Sequence, residues 1–350
     1  MDATLSSPPD PAALGAAWPL LGALGALALA PMRGGTNNTQ FHVSGAAPDA
    51  PSYVLRLAAP HLDERRARLE HATLASLERQ SLPFAVPAPV LAAGGAPWTV
   101  IATPGGPALA TLTRFIPGLP PDRGNLGQAE RAGEAVGALD MALATVDLSD
   151  PEAALSWRST GALDKISPLV LDPPVAFAAL PISEDARGRL RDGYAALMER
   201  LPTLYATLPQ QLCHEDTDPS NILMQGERVT GVLDFEFLSR DIRAMDLTVA
   251  LVWWPAGMVE SGAEWPVIAA LARGYARALR LTAPEIAAIP TLYAMRGYTS
   301  LIHRFGRALQ GLSTMAHVVA RAEAALAWQD WLAAHGERLV ETVAAAMEGD

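Results

Sequence analysis

Between Leu212 and Phe237 a short strand-forming stretch turns on itself near Gly226 and interrupts a C-terminal region that otherwise reads as helix. The helices around it look structural, and the polar residues gather inside it. The stretch runs Leu212-Cys-His-Glu-Asp-Thr-Asp-Pro-Ser-Asn-Ile-Leu-Met, then Gln-Gly-Glu-Arg, then Val-Thr-Gly-Val-Leu-Asp-Phe-Glu. Its composition predicts a strand over Asn221–Met224, a turn over Gln225–Arg228 and a returning strand over Val229–Phe235. In such a hairpin, paired residue numbers sum to about 455, which sets Asn221 opposite Asp234, with side chains roughly 5 Å apart on a shared face. A slip of one residue would send one of them to the other face.

Two oxygen-bearing side chains meeting at a strand end suit a hard divalent cation. Mg²⁺ takes a few protein oxygens and fills its other positions with water and phosphate. Asp216 precedes Asn221 on the loop that enters the hairpin and reaches the same space. An Asp, four residues, an Asn, and then Asp-Phe after a hairpin is the spacing of the kinase catalytic loop and metal motif. Phosphoryl transfer asks a protein mainly to position groups and neutralise charge. Asp216 is therefore expected to orient a hydroxyl and accept its proton, and Asn221 and Asp234 to hold Mg²⁺. Two simpler readings compete. Asp216 also opens a stretch that begins like a calcium loop, but Asn221 stands where glycine is required and a strand follows in place of a helix. The same residues also suit a polar turn with a capping Asp. His214 reads as a loop-orienting group, with a ligand or base as the alternative. Cys213 reads as a buried apolar residue.

The chain at these residues resembles the aminoglycoside phosphotransferase and choline kinase family, small-molecule relatives of the protein kinases that include bacterial homoserine-kinase-type members. The family loop reads His-Gly-Asp, four residues, Asn; here it is His214-Glu215-Asp216 and Asn221, so Glu215 departs from the glycine. Asp234-Phe235-Glu236 matches the second motif, and Asp246 in Ala-Met-Asp-Leu matches an Asp that braces the catalytic loop. The resemblance implies an α+β, two-lobed protein-kinase-like fold. Residues 1–115 would form a small β-rich nucleotide-binding N-lobe. Residues 116–350 would form a larger, mainly helical C-lobe with a catalytic β-hairpin and the acceptor site. It also implies ATP or another nucleoside triphosphate, and a small-molecule hydroxyl acceptor.

The N-terminal third fits that implication. Strand-like runs fall at Leu27–Met32, Gln40–Ser44, Tyr53–Leu57, Trp98–Ala102 and Leu112–Ile116, with a helix over Asp63–Arg79 and a hinge in the proline-rich segment after Ile116. Gly34, Gly35, Thr36, Asn37 and Asn38 lie between the first two strands. Glycine and asparagine there allow the backbone to approach phosphates, although an ordinary hairpin turn has the same composition. Arg56 lies on the face of its strand opposite Tyr53, Leu55 and Leu57, and Glu70 shares a helical stripe with Ala67, Leu74 and Leu77. A charge on an apolar stripe needs a partner, so Arg56 and Glu70 are expected to pair, with Arg56 in the place of the usual lysine.

Composition narrows the partners. The net charge of −11 argues against nucleic-acid and anionic-membrane surfaces and mildly favours a cationic substrate. One cysteine permits no intrachain disulfide and fits a reducing cytoplasm. The uncharged stretch Pro11–Met32 has no basic leader and is broken by Pro19, so it reads as a short buried helix entering a strand, not a membrane span. Trp253, Trp254, Tyr298, His303 and Arg304 read either as core or as pocket lining. Homoserine-, aminoglycoside- and choline-like acceptors all stay open. The competing class is a nucleotide-binding pseudokinase, supported by Arg56 and Glu215. A protein kinase is weaker, because few residues separate Phe235 from Asp246 to form an activation segment. The oligomeric state is not encoded legibly.

Overall fold

The computed structural model describes residues 8–32, 38–58, 64–104, 106–147, 162–259 and 261–349 of the 350. The chain divides into two compact units, one comprising Met1–Gly118 with Thr230–Glu236 and the other Leu119–Val229 with Phe237–Asp350.

The first unit opens with α1 (Pro11–Ala17), capped by Asp10, whose carboxylate accepts from the Ala12 amide, with proline at the first helical position. Five antiparallel strands follow: β1 (Ala28–Pro31), β2 (Asn38–Ser44), β3 (Tyr53–Ala58), β4 (Thr99–Thr103) and β5 (Gly106–Arg114), in the spatial order β1-β2-β3-β5-β4. Helix α2 (Glu64–Glu78) lies between β3 and β4 in the chain. Pro31 ends β1 at the sheet edge, where its missing N–H breaks no ladder. Strand β5 begins at Gly106, six residues before the expected start at Leu112. Its first half pairs with β4 and its second half with β3, so pairing with β4 carries a Gly-Pro start that reads locally as a breaker.

Alternation sets the core of this unit. Tyr53, Leu55 and Leu57 point to one face, with Phe41, Val43, Ile101, Ala110 and Leu112 from neighbouring strands. The uncharged N-terminal segment closes that face. Leu14, Trp18 and Leu21 are fully buried in the same cluster, and Trp18 Nε1 donates to the Val90 carbonyl at 3.0 Å. Each buried leucine contributes about 2 kcal/mol, which accounts for an apolar run here without a membrane. Among the described residues no helix is long and apolar enough to cross one.

The second unit is mainly helical: α3 (Leu126–Leu143), α4 (Pro173–Ala178), α5 (Glu184–Thr207), α6 (Met245–Trp253), α7 (Glu264–Ala278), α8 (Ala283–Leu309) and α9 (Met315–Glu348). Helices α3 and α7 cross closely because both carry glycine at the crossing. A Cβ on Gly274 would sit 1.8 Å from the Glu130 carbonyl oxygen, and one on Gly133 would sit 2.0 Å from that of Leu271. Strand β6 (Gln210–Cys213) pairs antiparallel with β9 (Ser239–Ile242), a pairing that local sequence signals do not show. Between them lie β7 (Ile222–Gln225) and β8 (Arg228–Val232), a two-stranded sheet turned at Gly226-Glu227, with Gly226 at φ 62°. The fold is thus α+β.

Candidate active site

In the second unit the polar residues converge on the loop between β6 and β7. Asp246, fully buried in the first turn of α6, accepts from two successive amides: His214 N on Oδ2 and Glu215 N on Oδ1, both at 2.7 Å. Its own carbonyl accepts from Thr217 Oγ1 at 2.7 Å. Three bonds to one residue fix the course of the chain into Asp216. His214 is fully buried, and its Nδ1 accepts the Asp216 amide at 3.2 Å, which places the ring proton on Nε2.

Asp216 is held at both oxygens. Oδ2 accepts from Asn221 Nδ2 at 2.8 Å, and Oδ1 from Arg296 Nη2 at 3.1 Å. Asn221 Nδ2 also reaches the Asp216 carbonyl at 2.9 Å. Asn221 closes a 3-10 turn, Pro219–Asn221, capped by Asp218, whose Oδ1 accepts from the Ser220 amide at 2.8 Å and hydroxyl at 2.6 Å. With its amide nitrogen turned to Asp216, Asn221 keeps its carbonyl oxygen, a hard acceptor, for another partner.

The hairpin differs from the expected one. The turn is two residues long, so Gln225 and Arg228 flank it, and the strands end before reaching either proposed metal ligand. Asn221 belongs to the 3-10 turn, and Asp234 lies beyond β8 in a left-handed conformation, φ 63°. The expected cross-strand pairing of these two residues therefore does not occur as part of the ladder. A tighter turn shifts the register, and the backbone leaves the extended region at both mouths.

Glu215 also has positive φ, 68°. The family glycine at this position is thereby explained, since a side chain there costs about 1 kcal/mol or more. Here the side chain is buried, and Glu215 Oε1 accepts from Ser239 Oγ at 3.0 Å. Its neighbour Asp241 is pushed well above the carboxylate range, by burial first and then by the Glu215 charge. Tyr205 Oη donates to Asp241 at 2.5 Å. A second such pair lies behind Asp246. Burial, then the Asp246 charge, raises Asp140 well above its usual range, and Tyr275 Oη donates to it at 2.6 Å.

In the first unit, Arg56 Nη2 meets Glu70 Oε1 at 2.6 Å, with both side chains largely buried. Burial alone would lower the guanidinium. The Glu70 charge and hydrogen bond, followed by Asp234 and Glu236, outweigh it and raise Arg56. Glu70 is lowered, since Arg56 outweighs the burial that would raise it. Asn38 Nδ2 donates to Glu236 Oε2 at 2.8 Å, and Arg66 Nη2 to the Glu236 carbonyl at 2.9 Å. Asn38, Arg56, Glu70, Asp234 and Glu236 thus belong to one electrostatic neighbourhood. Gly34, Gly35, Thr36 and Asn37 lie outside the described residues.

Sequence reasoning missed Arg296, Asp140, Tyr275 and the Glu215–Asp241 pair. Arg296 carried a usable signal, a charge among the apolar positions Leu292, Met295 and Tyr298, the same signal that singled out Glu70. Of the aromatic candidates, Trp254 and Tyr298 are core, with Tyr298 Oη donating to the Leu190 carbonyl at 2.8 Å.

A model of the phosphotransferase enzyme family matches residues 28–289, and the chain belongs to that family. Homoserine kinase of Granulibacter bethesdensis is 29% identical over 185 residues, covering 52% of this chain and 53% of that protein. Homoserine kinase of Rhodopseudomonas palustris strain ATCC BAA-98 is 33% identical over 123 residues, 34% of this chain and 37% of that one. The chain spans about half the length of the former and less of the latter. Solved structures of the same fold include an amicoumacin kinase in complex with AMP-PNP, Ca²⁺ and its ligand (TM-score 0.63, 16% identity, 92% and 90% coverage). A microcompartment-associated aminopropanol kinase is another (TM-score 0.66, 16% identity, 89% and 94% coverage). At that identity the likeness defines the fold, which is the protein-kinase-like one of small-molecule phosphotransferases.

Proposed function

We propose that the protein transfers the γ-phosphoryl group of ATP, or another nucleoside triphosphate, to a hydroxyl of a small molecule. The observation that carries the reading is the Asp216 carboxylate, fixed at both oxygens on a loop that buried Asp246 braces, in a chain of the phosphotransferase family. Asp216 accepts a hydrogen bond from the acceptor hydroxyl and takes its proton. The hydroxyl oxygen then bonds to the γ-phosphorus, the bond from that phosphorus to the β-phosphate oxygen breaks, and the nucleoside diphosphate leaves. Arg56, kept cationic by Glu70, Asp234 and Glu236, holds phosphate oxygens, and Asn38, at the start of β2, is assigned to the nucleotide together with Gly34, Gly35, Thr36 and Asn37, which precede it in the sequence. Asn221, through its carbonyl oxygen, and Asp234 are assigned to Mg²⁺. The metal, when bound, neutralises charge on the phosphates. Among the described residues no three acidic, His or Cys side chains form a cage, and a site of one carboxylate and one amide oxygen suits an ion that shares its shell with phosphate. In this reading the first unit serves the nucleotide and the second the acceptor.

The test is ADP release from MgATP across amino acids, amino alcohols and aminoglycosides, with nucleotide binding measured in parallel. We expect one class to stimulate release, and Asp234→Ala to weaken Mg²⁺-dependent nucleotide binding. Binding without stimulation by any class would favour the pseudokinase. Unchanged binding in the variant would remove Asp234 from the metal site.

A further inference from the structure

Arg296 is 6% exposed, yet its Nε and Nη1 have no acceptor; only Nη2 is engaged, on Asp216. A charged donor set buried without acceptors is costly, and it stands beside the proposed base. Two further arginines belong to the same neighbourhood. Arg321 of α9 lies over the Trp253 ring, 5.1 Å from its centroid, which fixes the head group in place. Burial first, then the charges of Arg304 and Arg296, lowers the Arg321 guanidinium, while Asp218 partly offsets them. Burial likewise lowers Arg304 of α8. Both stay protonated, and neither makes an ion pair among the described residues. Arg296 and Arg304 lie on one helix, eight residues apart, and Arg321 is within electrostatic reach of both and of Asp218, so three guanidinium groups gather with two carboxylates, Asp218 and the Asp216 paired to Arg296, in a chain whose total charge is −11.

We propose that Arg296, Arg304 and Arg321 form a carboxylate subsite beside Asp216, and that the phosphoryl acceptor is a small hydroxy acid, its hydroxyl at Asp216 and its carboxylate on the arginines. The proposal rests on the phosphotransferase reading and selects within it. A cluster of guanidinium groups attracts an anion and repels choline-like or aminoglycoside-like cations. The acidic balance of the whole chain therefore does not describe this site. Guanidinium groups suit a carboxylate because their fixed donors match its geometry. A phosphate of the nucleotide offers related chemistry, and the experiment separates the two.

The measurement is kcat/KM with MgATP for L-serine and L-homoserine, each beside its own carboxamide, and for choline and an aminoglycoside. We expect the better hydroxy acid to exceed its carboxamide by about 10- to 100-fold, the range for hydrogen bonds to a charged group. Arg321→Met keeps the apolar stem over Trp253 and should raise KM for the acid by a comparable factor, leaving the carboxamide and the nucleotide KM unchanged. Equal turnover of acid and carboxamide, or preference for a cation, would overturn the subsite and leave the phosphotransferase reading intact. A raised nucleotide KM with an unchanged acid-to-carboxamide ratio would assign the arginines to phosphate and overturn it as well. ADP release that no acceptor stimulates overturns both. The ratio in the unmutated protein decides the matter even if a variant fails to fold.

Discussion

Glu215 shows how one side chain changes the demands on a site. Its φ of 68° suits glycine, and the side chain it carries is buried against Asp241. Asp241 has a folded pKa well above its unfolded one, so between those values the folded state holds a proton that the unfolded state has lost. Stability from this pair is fully present below the unfolded value, about 4, and declines as pH rises toward the folded value. Glu215→Gly removes the neighbouring charge and the left-handed strain, while the burial of Asp241 remains. The variant should therefore lose less stability than the parent between pH 5 and 8 in thermal melts, and should retain catalysis. Parallel melting profiles would show that Glu215 does not set the Asp241 titration.

At the scale of elements, helix α2 delivers Glu70 to Arg56 and, one residue on, His71 to Trp98, stacked at 5.3 Å between ring centroids. Burial, the largest cause, lowers His71 to about 4, and neither ring nitrogen has a partner. Below pH 6.5 the unfolded chain binds a proton that the folded chain does not, so stability falls as pH drops toward about 4, by on the order of 3 kcal/mol. His71→Phe keeps the stack and should flatten the loss of melting temperature between pH 6.5 and 4.5. An unchanged slope would assign that loss to other groups. The strands, α2 and the Arg56–Glu70 pair were legible in the sequence, because alternation and a charge on an apolar stripe are local patterns. The β6–β9 pairing was not, since its partners, from Cys213↔Ser239 to Gln210↔Ile242, are far apart in the sequence and neither strand is amphipathic enough to announce the other. The hairpin was legible as a hairpin, but its register depended on a turn of two residues, Gly226-Glu227, that the sequence allowed to be read as the four residues Gln225–Arg228.

For the whole molecule, the site was legible as residue types and spacing, and its wiring was not. Asp216, Asn221 and Asp246 stand out as a motif, whereas Arg296 reaches Asp216 from 80 residues away and Asp140 approaches Asp246 from α3. Long-range polar contacts of this kind leave no periodic trace. They also reverse one inference from composition. An acidic chain suggested a cationic acceptor, yet the group paired to Asp216 is itself a cation, Arg296.

In the proposed phosphoryl transfer, Asp216 is the group that accepts the acceptor's proton. The direct measurement uses γ-labelled ATP with Mg²⁺ and the best hydroxyl acceptor, following the label in the product, for the parent and Asp216→Ala, with ATP binding measured in both. The label should appear in a phosphate ester of the acceptor, and the variant should bind ATP while transferring roughly 10²- to 10⁴-fold more slowly. Transfer by the variant at the parent's rate, or label that never leaves ATP in the parent, would contradict it.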